Sequence, residues 1–178
     1  NAILTSKNNK TGTDRVYEAF SLLNNKNIDL VMNIQGDEPQ IDTQDIYNLN
    51  EKMKMNKSKI GTMAAEILDE SVFKNESFVK VATNKSFDEE SFPLAKTFSR
   101  STEIKKNIFH HIGIYCYEAD TLKKYVSFDQ SKNEINFRLE QFRALDNNIM
   151  INVALAKSSP IGVDTKEDFV AIKKIMEY

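Results

Sequence analysis

The sequence predicts an α/β domain whose sheet is mostly parallel. Compact apolar runs, such as residues 29–35 and 149–155, alternate with segments whose apolar residues recur at helical spacing. This alternation is typical of domains in which helices pack on a parallel sheet. Residues 60–117 hold several apparent strands and few helices, so we expect this section to add antiparallel strands at one side.

Apolar periodicity and capping residues define the individual elements. Strands are predicted at residues 29–35, 61–68, 78–83, 95–99, 111–117 and 149–155, with the short apolar run 2–5 as a further candidate. Helices are predicted at 14–24 after a Thr13 cap, from Asp42 or Thr43 to about residue 55, at 71–75 as a short turn or helix, at 118–126, at 133–147, and after Thr165 to 176. Thr165 and Asp168 have the spacing of a capping box.

The composition excludes several classes of protein. A length of 178 residues corresponds to one domain, and the single Cys116 leaves no internal disulfide or tetrathiolate zinc site. The net charge of −2 argues against a general polyanion binder, so we expect no nucleic-acid partner. With neither a signal peptide nor a membrane-length apolar run, we expect a cytoplasmic chain with no membrane partner, entered partway at Asn1.

Two acidic segments follow predicted strands. In the run Gln35-Gly36-Asp37, the glycine permits close backbone approach to a ligand, and the carboxylate suits a hard cation such as Mg²⁺. Asp164 falls on the same predicted rim of the sheet, and two such carboxylates can hold metal ions on a triphosphate. The simpler alternatives are an acidic turn and, for Asp164, a charge that favours a helix N-terminus.

Arginine is scarce, since the chain has only four, so each arginine in a motif is informative. The run Thr11-Gly12-Thr13-Asp14-Arg15 precedes a helix, where backbone N–H groups and the Arg15 fork can meet a phosphate or a base edge; a plain helix start is the alternative. Arg100 follows a predicted strand end, where it can clamp a carboxylate or form a surface ion pair.

Two polar pairs complete the candidates. Adjacent strand residues face opposite sides, so His110 and His111 make a poor chelate, and we favour His111 as a hydrogen-bonding ligand residue. Glu140 and Gln141 are predicted on a helix, about 100° apart around its axis. They can either serve a polyhydroxylated ligand or simply face solvent.

The order of the motifs is more specific than any one of them. TGTDR, VMNIQGDEP, VKV, FSRS, HIGIYCY, LEQFRAL and GVDTKEDF together resemble the 3-deoxy-manno-octulosonate cytidylyltransferases, or CMP-KDO synthetases, along the whole chain. The resemblance implies a Rossmann-like nucleotidyltransferase fold with a small antiparallel sugar-binding and dimerisation section, and a homodimer. It also implies an enzyme that converts CTP and 3-deoxy-D-manno-octulosonate (KDO) to CMP-KDO and pyrophosphate for lipopolysaccharide synthesis.

The resemblance also assigns roles. It implies that Asp37 and Asp164 are catalytic and bind Mg²⁺, and that Arg15 and Gly36 lie near the nucleotide. The residues that it implies for the sugar acid are Gln35, Arg100, His111, Tyr115, Glu140 and Gln141.

Three departures from the family pattern affect these expectations. No run resembles the glycine- and basic-rich loop GSxRLPGK, so we expect residues 1–178 to form a single nucleotidyltransferase domain that lacks this N-terminal region. The stretch 101–109 is short, and Phe137 stands where the family tends to have Glu. Two alternatives therefore stay open: an enzyme for a related acid, such as an 8-amino KDO analogue or a sialic-type acid, and a non-catalytic sugar-binding fragment.

Overall fold

The computed structural model describes residues 2–25, 27–157, 162–163 and 165–176. Within this part of the chain, one sheet has the strand order β4-β3-β5-β2-β6, and β1 pairs with β5 off this path. The strands are β1 Leu30–Asn33, β2 Ile60–Ala65, β3 Lys80–Thr83, β4 Ala95–Ser99, β5 Ile108–Glu118 and β6 Ile151–Leu155.

The helices agree with most of the predicted positions. They are α1 Gly12–Leu23, α2 Thr43–Asn56, a 3₁₀ turn at Glu70–Phe73, α3 Ala119–Val126, α4 Lys132–Phe137, α5 Phe142–Asp146 and α6 Lys166–Met176. Asp42 caps α2, and Thr165 and Asp168 form the predicted capping box of α6. At α1 the cap is Thr11 rather than Thr13, because Thr11 pairs with Asp14 in a capping box of its own.

The long strand β5 organises the sheet. It runs antiparallel to β1, β2 and β3, while β6 pairs parallel with β2 and β4 pairs antiparallel with β3. Four strands of the described sheet therefore run one way, and only β4 and β5 run the other way. This arrangement confirms the α/β fold class, with most strands running in one direction. The antiparallel pairing extends beyond β3, β4 and β5, because β5 also pairs antiparallel with β1 and β2.

Apolar clusters lie on both faces of the sheet. One contains Tyr115, Tyr117, Tyr125 and Phe98, with residues of α1 packed against it. The other contains Leu49 and Met53 of α2 together with the buried Cys116. A Cβ atom on Gly61 would lie 2.6 Å from Met53 Sδ, so a glycine is needed where α2 approaches β2 this closely.

The structure corrects two predicted elements. Residues 2–5 do not form a strand, and Leu4 is 97% exposed. The helix predicted at 133–147 is two helices, because Arg138 takes a left-handed conformation with φ 54° that ends α4. In the part of the chain that the structure describes, no helix has the length and apolar character needed to cross a bilayer.

Candidate active site

A β-bulge in β5 anchors the turn that follows β1. Thr62 pairs with Tyr115 and Met63 pairs with Ile112, so Gly113 and the residue after it have no register partner on β2. Side chains from the turn after β1 form hydrogen bonds with the backbone N–H and carbonyl groups of Gly113 instead. Gln35 Nε2 donates to Gly113 O at 2.8 Å, and Gly113 N donates to Glu38 Oε1 at 3.2 Å.

The glycine at position 113 leaves room for these two hydrogen bonds, which hold the predicted metal-binding turn. A Cβ atom at Gly113 would lie 3.0 Å from Gln35 Nε2, which is tighter than ordinary contact. With Gln35 and Glu38 fixed on β5, the two residues between them, Gly36 and Asp37, are exposed at the apex. The sequence indicated Gln35 and Asp37 but missed Glu38, whose partner becomes visible only when β5 is placed beside the turn.

The segment before α6 contacts the same turn. Val163 N donates to Asp37 O at 2.8 Å, so the backbone of Val163 lies against the acidic apex. Asp164, the second predicted metal ligand, lies outside the described residues. Within the described residues, no group of three histidine, cysteine, aspartate or glutamate side chains is arranged to hold a metal ion.

His111 is buried on β5 and hydrogen-bonded to β2. Thr62 Oγ1 lies 2.8 Å from Ile114 O and 3.3 Å from Ile112 O, and a hydroxyl that faces carbonyl oxygens must donate to one of them. Oγ1 therefore accepts a hydrogen bond from His111 Nε2, 3.0 Å away. Burial lowers the pKa of His111 to about 3, with His110 as a smaller cause, so the ring is neutral, with its proton on Nε2 and Nδ1 left as an acceptor.

Aromatic rings line the sheet beside His111. Its ring lies 5.1 Å from that of Phe98 and 5.5 Å from that of Tyr115, between centroids, and Tyr115 stacks on Tyr117 at 5.9 Å. Burial raises the pKa of both tyrosines. Glu140 makes a smaller contribution to each, and the phenols of Tyr117 and Tyr125 also raise the pKa of Tyr115. Both phenols therefore stay protonated, and the hydroxyl of Tyr117 is hydrogen-bonded to Thr13 Oγ1 at 3.0 Å.

Glu140 lies in the turn between α4 and α5 rather than on a helix. Its Oε2 accepts from Thr13 N at 3.3 Å, and its carbonyl accepts from Tyr125 Oη at 2.7 Å. A Cβ atom on Gly12 would lie 4.0 Å from Glu140 Oε1 and 3.9 Å from Asn33 Nδ2, so the start of α1, the end of β1 and this turn meet at Gly12. Tyr115 is the register partner of Asn33, which brings the β5 aromatic rings to the same place.

Gln141 stands at the N-cap position of α5, and its side chain is buried. The predicted orientation of Glu140 and Gln141 on one helix is therefore wrong. The reason is visible in a second pair: Arg143 in α5 donates from Nε and Nη2 to Glu134 in α4, at 2.9 and 2.6 Å. On one straight helix these two residues would be separated by about 13 Å of rise, so their contact requires the chain to turn between them.

The two predicted arginines, Arg15 and Arg100, lie outside this group or at its border. Arg15 is exposed and donates to Thr5 Oγ1 at 2.6 Å and to Ser6 O at 3.3 Å, so it binds the N-terminal segment to α1. Arg100, also exposed, donates to Glu76 O at 3.1 Å. Arg100 comes two residues after Phe98, whose ring contacts His111, so it stands at the border of the aromatic group.

Comparison with known proteins identifies the family. A family model described as "Cytidylyltransferase" matches residues 1–157. A 3-deoxy-manno-octulosonate cytidylyltransferase of Bartonella tribocorum is 34% identical over 98% of this chain and 72% of its own length. The Rickettsia canadensis protein of the same name is 39% identical, over 98% of this chain and 70% of its own length. The chain belongs to the 3-deoxy-manno-octulosonate cytidylyltransferase family.

Solved structures agree with this family. The chain superposes on a CMP:2-keto-3-deoxy-manno-octonic acid synthetase, solved in complex with CTP, with a TM-score of 0.85, 29% identity, and coverage of 98% of this chain and 71% of that one. A 2-C-methyl-D-erythritol 4-phosphate cytidylyltransferase of Francisella tularensis has a TM-score of 0.60 at 18% identity, covering 93% and 68% of the two chains; this likeness concerns the fold alone. The family predicted from the motifs is confirmed.

Proposed function

We propose that this chain transfers a cytidylyl group from CTP to KDO, giving CMP-KDO and pyrophosphate. The observation that carries the proposal is the match of 98% of the chain to the KDO cytidylyltransferases, together with the clustering of Gln35, Tyr115 and Glu140 around one bulge and turn. In this reaction the anomeric hydroxyl of KDO attacks the α-phosphorus of CTP. A bond forms between that oxygen and phosphorus, and the bond to pyrophosphate breaks.

The described residues supply orientation rather than covalent chemistry. The neutral imidazole of His111 presents an acceptor, and the protonated phenol of Tyr115 presents a donor, as a polyhydroxylated ligand requires. Gln35 donates to the carbonyl of Gly113, and the carbonyl of Glu140 accepts from Tyr125. These hydrogen bonds fix the positions of Gln35 and Glu140 before a ligand binds. Such preorganisation lowers the barrier by holding the hydroxyl and the phosphate in reacting geometry.

We propose Mg²⁺ as the metal, with Asp37 and Asp164 as its protein ligands. The donor set fits, because Mg²⁺ is usually held by one or two carboxylates plus substrate phosphates, and Asp37 is an exposed carboxylate on a fixed turn. The hydrogen bond of Val163 to Asp37 supports the pairing, since Asp164 is the next residue along the chain. When bound, the ion would neutralise phosphate charge as the α-phosphorus is attacked.

The remaining assignments are also proposals. We propose that Arg100 binds the KDO carboxylate, that Gln141 supports the sugar side of the site, and that Arg15 and Gly36 lie near the nucleotide. The sequence has no glycine- and basic-rich loop, so we propose that residues 1–178 bind KDO more completely than they bind CTP. We further propose a homodimer in the cytoplasm whose product serves lipopolysaccharide synthesis.

The test is direct formation of the product. The purified protein is incubated with CTP, KDO and Mg²⁺, and ³¹P NMR follows the release of pyrophosphate and the appearance of a phosphodiester. Calorimetry with each substrate alone separates binding from turnover. Binding of KDO without any turnover would favour a sugar-binding fragment, and absence of both would refute the proposed function.

One observation favours a related acid as the second candidate. Phe137, at the end of α4, is 53% exposed and packs on Phe142 at a ring distance of 5.1 Å. An apolar ring there offers a ligand neither the charge nor the hydrogen bonds of the Glu typical of the family. The same assay with an 8-amino KDO analogue and a sialic-type acid decides the matter, since equal or faster turnover of either would overturn KDO as the substrate.

A further inference from the structure

Lys80 is a lysine at the start of β3 whose side chain is completely buried. An ammonium group loses its hydration when it is buried, so it must be paired or hydrogen-bonded. Its Nζ donates to three backbone carbonyls, Asn75 O at 2.6 Å, Phe78 O at 2.8 Å and Arg100 O at 2.5 Å. An ammonium has three N–H donors, so these three acceptors use all of them.

The carbonyls come from two segments that meet at Arg100. The turn over residues 75–78 gives two carbonyls to Lys80, and it gives a third, Glu76 O, to the guanidinium of Arg100. Arg100 lies one residue past the end of β4, beyond the ladder that pairs Ser99 with Lys80. The hydrogen bond from Lys80 therefore fixes the backbone of Arg100 at a position that strand pairing does not reach.

The same lysine lies beside the predicted sugar-acid residue of β5. Lys80 pairs in register with His110, and the carbonyl of the preceding residue, Val79, accepts from His111 N at 2.9 Å. The segment that Lys80 holds is thus hydrogen-bonded to the His111 backbone on one side and to the Arg100 side chain on the other.

We propose that Lys80 is a positioning residue for the sugar-acid site, which holds Arg100 where its guanidinium meets the substrate carboxylate. This inference rests on the proposed role of Arg100. Lys80 does not touch the substrate. It acts by fixing the Arg100 backbone and the turn that receives the Arg100 side chain, so its contribution to binding exists only while Arg100 is present.

A double-mutant cycle tests this coupling. The affinity for KDO is measured by calorimetry in wild type, Lys80→Met, Arg100→Ala and the double variant, and each measurement is repeated with the amide of KDO, which lacks the carboxylate charge. We expect each single variant to weaken KDO binding about tenfold, as loss of one charged hydrogen bond does, and to leave amide binding nearly unchanged. The double variant should bind KDO no more weakly than Arg100→Ala. Lys96→Met, an exposed lysine on β4, is the matched control and should bind like wild type.

The outcomes separate the two claims. If Arg100→Ala leaves KDO affinity unchanged, the carboxylate role of Arg100 is wrong and the inference about Lys80 falls with it. If Arg100→Ala weakens binding but Lys80→Met weakens it further in that background, only the inference is overturned. Circular dichroism monitors folding; if Lys80→Met does not fold, Lys80→Arg takes its place in the cycle. Arg retains the positive charge but lacks the compact ammonium group of Lys. We therefore expect Lys80→Arg to weaken KDO binding about threefold, and to have no effect in the Arg100→Ala background.

Discussion

The guanidinium of Arg143 joins Glu134 to Asp14 and thereby holds three segments together. It donates twice to Glu134 in α4, and its Nη1 donates to Asp14 in α1 at 2.8 Å, while its own helix α5 follows the Glu140 turn. Its side chain is 2% exposed and lies 4.8 Å from the ring centroid of Tyr125. Burial alone lowers the pKa of Arg143, but the hydrogen bonds to Glu134 and Asp14 outweigh it and raise the pKa, so the charge is permanent.

Arg143→Met is therefore expected to be strongly destabilising. It leaves the carboxylates of Glu134 and Asp14 without their main partner, and Glu134 is 3% exposed. Loss of one partner from a buried ion pair costs about 3–5 kcal/mol. Denaturant unfolding measures the change. The exposed pair of Lys59 with Glu118 is the control, since Lys59→Met should change the free energy of unfolding by about 1 kcal/mol or less. Similar losses for the two variants would contradict the assigned importance of the Arg143 network.

The buried His111 gives the stability a defined acid dependence. The folded pKa of about 3 lies below the ordinary value of 6.5, so protons bind preferentially to the unfolded chain between these limits. Stability should fall as the pH is lowered from about 6.5 towards 3, with this residue contributing at most about 1.4 kcal/mol per pH unit. His111→Gln should make the pH dependence of unfolding less steep across this range, by the contribution of this one residue. Burial and the charge of Lys80 also lower the pKa of neighbouring His110, so His110→Gln is run in parallel to separate the two contributions.

The tautomer of His111 can be observed directly. Because Thr62 Oγ1 must donate to a carbonyl, we expect ¹⁵N NMR at pH 7 to show a neutral ring with its proton on Nε2. Thr62→Val removes the acceptor and should redistribute the proton between the two nitrogens. A proton on Nδ1 in the unaltered protein would refute the hydrogen-bond assignment.

Gly113→Ala, at the β5 bulge, is expected to weaken ligand binding more than it lowers stability. Gly113→Ala forces Gln35 to move, because the new Cβ atom would lie 3.0 Å from its amide nitrogen. We expect KDO binding to weaken about tenfold through loss of the Gln35 position, whereas the thermal midpoint changes little because Gln35 is only partly buried. Adding Gln35→Ala should relieve the crowding and restore any lost stability without restoring affinity. A double variant that regains wild-type affinity would show that Gln35 does not contact the ligand.

The proposed metal role of Asp37 predicts an altered response to Mg²⁺. Asp37→Ala removes one hard ligand from an exposed turn, so we expect activity to be lost across a Mg²⁺ titration while the unfolding curve is unchanged. Asp88→Ala, which alters another exposed carboxylate, is the control and should respond to Mg²⁺ like wild type. An unchanged titration for Asp37→Ala would remove it from the metal site.

Local sequence patterns correctly predicted the features that depend only on residues close together in the sequence. The α6 capping box and the α2 cap involve residues a few positions apart. Both stand as predicted, with Asp42 rather than Thr43 as the α2 cap. The strand at 2–5 failed because apolar character alone does not supply a hydrogen-bonded neighbour. The helix at 133–147 failed because the Glu134–Arg143 pair depends on a turn that helical periodicity does not reveal.

The same distinction applies to the site. Gln35, His111, Tyr115 and Glu140 were indicated by their motifs. In the structure Gln35 lies against Gly113, Glu140 lies near Gly12, and the rings of His111 and Tyr115 contact each other on β5. Glu38 and Thr62 were missed because their roles are hydrogen bonds to backbone groups of distant residues. Lys80 was missed because one of its three acceptors, Arg100 O, lies 20 residues away in the sequence. A signal for Glu38 was present in the acidic run after β1, but nothing in the sequence shows that its partner is an amide in β5.

The burial of Cys116 makes this protein convenient for site-specific labelling. It is the one cysteine of the chain, it packs within the α2 side of the core, and burial raises the pKa of its thiol to about 12. Maleimide reagents react with the thiolate, which is therefore nearly absent at neutral pH. A single cysteine introduced at an exposed position such as Lys96 should be the main reactive thiol, so a fluorophore can report on ligand binding without a prior Cys116 substitution.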